Sequence, residues 1–224
     1  SLVGGAGTDI LNLDVADQSI TVTGTGNGTS SVSSGGTATT FSGFETVNGL
    51  AGTDAFTVNS ASSSTISLDG GNGTDSLSVA SSDSAANTLT ISGAGSGTLG
   101  SVTFSGMESI ALGSGNDIST VNSGGSLSGN LNLGNGTNTL TFNSGAGAIQ
   151  SVTSGSGTDS VTITAGSITG ALDLGSGTDS LSYAGYASAV SATLSGSNAL
   201  SSSTTAIGGG AVSYTHLRAH ETEA

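Results

Sequence analysis

The sequence predicts an all-β chain, a single-stranded parallel β-helix (β-solenoid) of about ten coils of 21 residues, from three observations. A turn pattern, Gly-x-Gly-Thr-Asp, recurs at nearly constant spacing. Apolar residues alternate with Ser or Thr after each turn, as in a half-buried strand. Nothing has helical spacing, and the 224 residues include 39 Gly but no Pro.

The units begin at residues 5, 26, 50, 71, 92, 113, 134, 155, 175 and 196, with steps of 21, 24, 21, 21, 21, 21, 21, 20 and 21. Strong copies read GAGTDILNL, LAGTDAFTV, GNGTDSLSV, GSGNDISTV, GNGTNTLTF, GSGTDSVTI and GSGTDSLSY. Weak copies stand at Gly26 (GNGTS), Ser92 (SGAGS) and Gly196 (GSNAL). The strand after the turn places Leu77 and Val79, Leu140 and Phe142, Val161 and Ile163, and Leu181 and Tyr183 on one face. A second strand closes several units, in TISLDG (65–70), GNLNLG (129–134) and GALDLG (170–175). The three-residue excess of the unit at Gly26 predicts a loop in SVSSGGTATT (31–40).

A unit this short cannot bury its own apolar face, so equivalent strands must stack in parallel about 4.8 Å apart. Ten coils make a rod of roughly 45 Å. An echo supports the register: TFSGFETVNGLAGTDAFTVN from Thr40 and TFSGMESIALGSGNDISTVN from Thr103 lie 63 residues apart and share ten of twenty positions. Stacking is expected to bring Asn122 over Asn143, with Asn59 in the same place on an earlier coil.

Composition narrows function. Net charge is −14, and residues 1–211 contain no Lys, Arg or His. Nucleic acid is excluded as a partner, because neutralising phosphates takes Lys or Arg; anionic membrane surfaces are disfavoured likewise. Without Cys there is no disulfide or thiolate chemistry. No apolar run approaches a membrane span, so no membrane insertion is expected. Ser1 is not a start Met and no signal peptide follows, so the chain reads as a piece of something longer, with more of the same chain stacked on both ends.

The repeat, its turns and the two Phe-x-Gly-[Phe/Met]-Glu-x-[Val/Ile] echoes resemble the repetitive β-helical passenger regions of large bacterial exported surface proteins, autotransporter adhesins and filamentous-haemagglutinin-like exoproteins. The resemblance covers residues 2–211. It implies a non-catalytic rod, extracellular or at the bacterial cell surface, that extends, displays or adheres, with an unidentified host or cell-surface glycan or protein as ligand. GGAGTDILN (4–12) and GGNGTDSLS (70–78) also resemble the calcium nonapeptide of RTX proteins, although that family repeats it in tandem.

The Asp position of the turn reads Asp9, Ser30, Asp54, Asp75, Ser96, Asp117, Asn138, Asp159 and Asp179. Two readings stay open. In one it is a calcium ladder, with the pairs Asp54/Asp75 and Asp159/Asp179 as the metal sites and calcium the sole cofactor. In the other the side chains cap turns by accepting backbone N–H groups, which suits the interruptions by Ser and Asn. Glu45 and Glu108 are the only Glu in residues 1–211 and are expected as solvated turn residues about 14 Å apart, too far for a paired-carboxylate site.

An enzyme is the rival, because β-helices include polysaccharide lyases and glycoside hydrolases. No catalytic residues are expected: a Ser nucleophile needs a neighbouring base, and residues 1–211 offer no His. Thr-x-Thr runs in ITVTGT (20–25) and VTIT (161–164) suggest an ice-binding face. They fall in no single column of the 21-residue register, so β-propensity accounts for them.

The chain divides into a solenoid fragment, 1–211, and a tail, 212–224, that is no domain. His216, His220 and Glu221 have zinc-ligand spacing. Residues 212–222, VSYTHLRAHET, however, resemble translated transposase-adapter DNA, which implies a foreign segment.

Overall fold

The computed structural model describes residues 1–13, 16–32, 38–59, 65–187, 191–194, 199–203 and 213–215. Their regular structure is all strand, in one sheet of 13 strands, one of 11 and two small pairs. No helix among them is long and apolar enough to cross a membrane.

From Ser109 to Ser182 the chain alternates between the two large sheets. Ser109–Ala111, Leu127–Asn132, Ala148–Thr153 and Ala171–Asp173 stack in parallel in the first sheet. Ile118–Val121, Thr139–Phe142, Ser160–Ile163 and Ser180–Ser182 stack in parallel in the second. The register steps are 21, 21 and 20 residues, as in Leu140 beside Val161 and Val161 beside Leu181. Apolar side chains of both sheets turn inward into one continuous core, the expected Leu77, Val79, Leu140, Phe142, Val161, Ile163, Leu181 and Tyr183 among them. The second strands expected at 65–70, 129–134 and 170–175 are Ile66–Asp69, Leu127–Asn132 and Ala171–Asp173.

The uninterrupted run of ten parallel coils is corrected in two places before Ser182, and beyond it Ala199–Ser203 pairs antiparallel with Ala171–Asp173 and with Ser191–Leu194. In the first sheet Gln18–Gly24, Asn27–Val32 and Thr39–Ser42 form an antiparallel meander. In the second, Thr88–Gly93, Ser96–Leu99 and Val102–Ser105 form another. Parallel stacking resumes on both sides of each: Gln18–Gly24 pairs with Ala55–Val58, and Thr88–Gly93 with Ile118–Val121. The reason is local. Two-residue links join Gly24 to Asn27 and Gly93 to Ser96, and Gly26 (φ 64°) and Gly95 (φ 58°) supply the positive φ that such links favour.

The weak copies at Gly26 and Ser92 are therefore hairpin turns, not coils. The third, at Gly196, lies outside the described residues, between the antiparallel strands Ser191–Leu194 and Ala199–Ser203. Of the expected loop at 31–40, Ser31, Val32, Thr39 and Thr40 belong to meander strands and residues 33–37 lie outside the described residues. In the tail only Ser213–Thr215 is described, as a strand antiparallel to Ser180–Ser182; His216, His220 and Glu221 are outside.

Each meander also moves the turn motif to the other sheet. The strand after it lies in the second sheet at Ile10, in the first at Ala55 and Ser76, and in the second again from Ile118 on. The 63-residue echo therefore relates opposite sheets: Thr40 is in the first and Thr103 in the second.

Candidate functional site: the carboxylate ladders

Alternation puts the last residue of each turn against the turn of the neighbouring coil, where its side chain meets unpaired backbone N–H groups. Two continuous ladders result. In one, Gln18 N donates to Asp54 Oδ1 (2.7 Å), Asp54 N to Asp75 Oδ1 (2.7 Å), and Asp75 N to Glu108 Oε2 (2.6 Å). In the other, Asn87 N donates to Asp117 Oδ1 (2.7 Å), Asp117 N to Asn138 Oδ1 (3.0 Å), Asn138 N to Asp159 Oδ1 (2.9 Å), and Asp159 N to Asp179 Oδ1 (2.9 Å). A short third one joins Asp9 N to Glu45 Oε2 at 2.7 Å.

The expected single column thus splits. Asp54 and Asp75 precede strands of the first sheet; Asp117, Asn138, Asp159 and Asp179 precede strands of the second. Ser30 and Ser96 leave it altogether, inside meander strands. Both candidate pairs, Asp54/Asp75 and Asp159/Asp179, are adjacent rungs, each joined by a backbone N–H of one to the carboxylate of the other. Glu45 and Glu108 sit at bends, Glu45 exposed as expected and Glu108 half-buried, and each also serves as a terminal rung, doing with a longer side chain what Asp does elsewhere. The signal was there: both lie in the echoed stretches, where a meander ends and the chain crosses to the other sheet.

Asp54, Asp75, Asp117, Asn138 and Asp159 are buried. The second oxygens divide by sequence. Asp159 Oδ2 accepts from Ser154 Oγ at 2.7 Å, and Asn138 Nδ2 donates to Gly134 O and Ser154 Oγ, both at 3.4 Å. Oδ2 of Asp54, Asp75 and Asp117 is buried without a hydrogen-bond partner. Burial pushes the Asp54 carboxyl up to about 6, against the lowering effect of its Gln18 bond and with help from the charges of Asp75 and Asp17. Burial raises Asp75 and Asp117 as well. The Asp54 and Asp75 carboxylates press on glycine: a Cβ on Gly49 would sit 2.2 Å from Asp54 Oδ2, and one on Gly70 2.7 Å from Asp75 Oδ2. Among the described residues no three His, Cys, Asp or Glu side chains come together as a metal-binding group.

Asn side chains add shorter links. Asn143 Nδ2 donates to Asn122 Oδ1 at 2.8 Å, the stacking expected from sequence, and Asn48 Nδ2 to Asn12 Oδ1 at 2.8 Å. Asn59 does not share that column: it follows a strand of the first sheet, and its N–H donates to Val22 O.

Neither a protein family, nor a curated protein, nor a solved structure matches the chain.

Proposed function

We propose that the chain is a segment of a parallel β-solenoid rod with a non-catalytic structural and adhesive role in a bacterial cell-surface or secreted protein. It stacks on further coils of the same polypeptide and carries or presents a region that meets a host or cell-surface glycan or protein. The observation that supports this most is the use of the buried carboxylates. Asp54, Asp75, Asp117 and Asp159 each spend one oxygen on the backbone of the adjacent coil, as structural rungs do. Incubating the chain with a panel of acidic and neutral polysaccharides should release no new reducing ends or unsaturated sugars. A release abolished by replacing one carboxylate would overturn the proposal in favour of a lyase or hydrolase.

A calcium-loaded ladder is the second reading, favoured by the unpartnered Oδ2 atoms of Asp54 and Asp75. It requires a chelator to lower the melting temperature well beyond an ionic-strength control; structural capping requires no such difference.

A further inference from the structure

The meanders have a second effect, on the outer face of the second sheet. Pairing sets Thr46 beside Ser67, Ser67 beside Thr103, Thr103 beside Thr98 and Thr98 beside Thr90. Thr90 then lies beside Thr120, Thr120 beside Thr141 and Thr141 beside Thr162. These residues form one unbroken column across parallel and antiparallel strands alike, with a span of about 34 Å at about 4.8 Å per step. In the upper half a second column runs alongside it: Thr88, Ile118, Thr139, Ser160 and Ser180. The two columns are two residues apart along each strand, roughly 6.7 Å. The Thr-x-Thr runs at 20–25 and 161–164 share no column, as expected, because the first lies in the first sheet and the second in the second. Only Thr162 of the second run joins this column, which a constant 21-residue register misses because the meander inserts two strands.

Three features set this face apart. First, neither column contains a charged residue, although the chain carries −14; Asp69, two residues beyond Ser67 on the same strand, stands beside the column and accepts from Ser105 Oγ at 3.0 Å. Second, most of its hydroxyls are unused: among the described residues Thr88, Thr90, Thr120, Thr139, Thr141 and Thr162 make no side-chain hydrogen bond, whereas Ser180 Oγ donates to Asp159 O at 3.4 Å. On the first sheet the outer polar groups bond one another, as in Thr57 Oγ1 to Ser78 Oγ (3.1 Å), Ser151 Oγ to Asn130 Oδ1 (3.0 Å) and Asn130 Nδ2 to Thr153 Oγ1 (3.0 Å). Third, the pattern slips at Ile118 and Ser119. Ile118 points outward, 54% exposed, and Ser119 is fully buried with an unpartnered hydroxyl. The outer face gains an apolar group there at the expense of the core.

We infer that this face binds ice. A fixed lattice of hydroxyl and methyl groups, repeating at about 4.8 Å along the rod and about 6.7 Å across it, can hold surface water in ice-like positions. A charged surface instead orients its own hydration shell. A neutral polysaccharide is the less favoured partner, because sugar rings are gripped by aromatic faces and neither column contains an aromatic residue. The inference rests on strand register and is independent of the rod's proposed role at a cell surface.

The test is single-crystal ice growth with the 224-residue chain and the variants Thr120→Lys, in the middle of the column, and Ala55→Lys, on the exposed face of the first sheet. Circular dichroism and melting temperature confirm that each is folded. The wild-type chain and Ala55→Lys should facet ice and open a gap between melting and freezing; Thr120→Lys should lose at least nine-tenths of that gap. Unfaceted growth with folded wild type, or an equal gap with Thr120→Lys, overturns the inference. So does retention on insoluble cellulose or chitin that Thr120→Lys abolishes while ice is unaffected, which assigns the face to a polysaccharide.

Discussion

Replacing Asp54 by Asn should stabilise the protein at neutral pH and leave it nearly unchanged at pH 4. Asp54 is fully buried, its Oδ1 accepts from Gln18 N, and its Oδ2 has no partner. Its carboxyl is raised from 3.8 to about 6, chiefly by burial. Between these values the folded chain holds a proton that the unfolded chain has released, so the contribution of Asp54 to stability is fully present below about pH 4 and is lost as pH rises through 6. The interval corresponds to about 3 kcal/mol. Asn keeps the acceptor and removes the buried charge, and the other ladder already uses it: Asn138 accepts Asp117 N through Oδ1 and donates through Nδ2 to Gly134 O. A neutral amide accepts less strongly than a carboxylate, so the expected gain at pH 7 is about 2 kcal/mol. Urea denaturation from pH 4 to pH 8 measures it. The wild-type midpoint should fall with rising pH, and more gently in Asp54→Asn, where Asp75 and Asp117 still contribute in the same direction. A wild-type midpoint that rises from pH 4 to pH 7, or a variant less stable than wild type at pH 7, refutes the reasoning.

Three further substitutions probe separate links, each read from the urea midpoint and slope. Ser119→Ala removes a buried hydroxyl without a partner and should stabilise by about 1 kcal/mol; a loss would mean that the hydroxyl is bonded in solution. Leu50 has φ 73° where the equivalent Gly71, Gly134 and Gly175 have φ 91°, 77° and 71°, so Leu50→Gly should relieve strain and add roughly 0.5–1 kcal/mol. At Gly157 (φ 147°) a Cβ would lie 1.7 Å from the carbonyl oxygen of Gly136 on the next coil, so Gly157→Ala should cost about 3 kcal/mol or more and lower the melting temperature sharply.

The coil was legible in the sequence because stacking demands it: the period, the turn glycines and the alternation all report one neighbour relation repeated. The meanders were not, because their hairpin turns use the same Gly-rich vocabulary and keep nearly the same spacing as the coils. What separates them is the residue after the turn. A coil needs a side-chain acceptor for its neighbour's N–H and has Asp or Asn there; a hairpin satisfies its own backbone and has Ser30 or Ser96. The same reasoning explains Glu45 and Glu108, which look like isolated surface acids until the register shows which N–H each one meets. The threonine column was hidden in turn, since its members are 36, 5, 8, 30 and 21 residues apart along the column from Ser67 to Thr141 and only strand pairing aligns them.

Both the ladders and the threonine face depend on the meander register, and the absence of native Cys makes that register directly testable. Ser67 and Thr103 are paired neighbours in the second sheet, 36 residues apart. Adjacent strands lie about 4.8 Å apart, within disulfide range. The double variant Ser67→Cys/Thr103→Cys should form an intramolecular disulfide under mild oxidation, and Ser82→Cys/Thr103→Cys, one 21-residue period apart, should not. Crosslinking of the second pair but not the first would contradict the account and restore an uninterrupted solenoid.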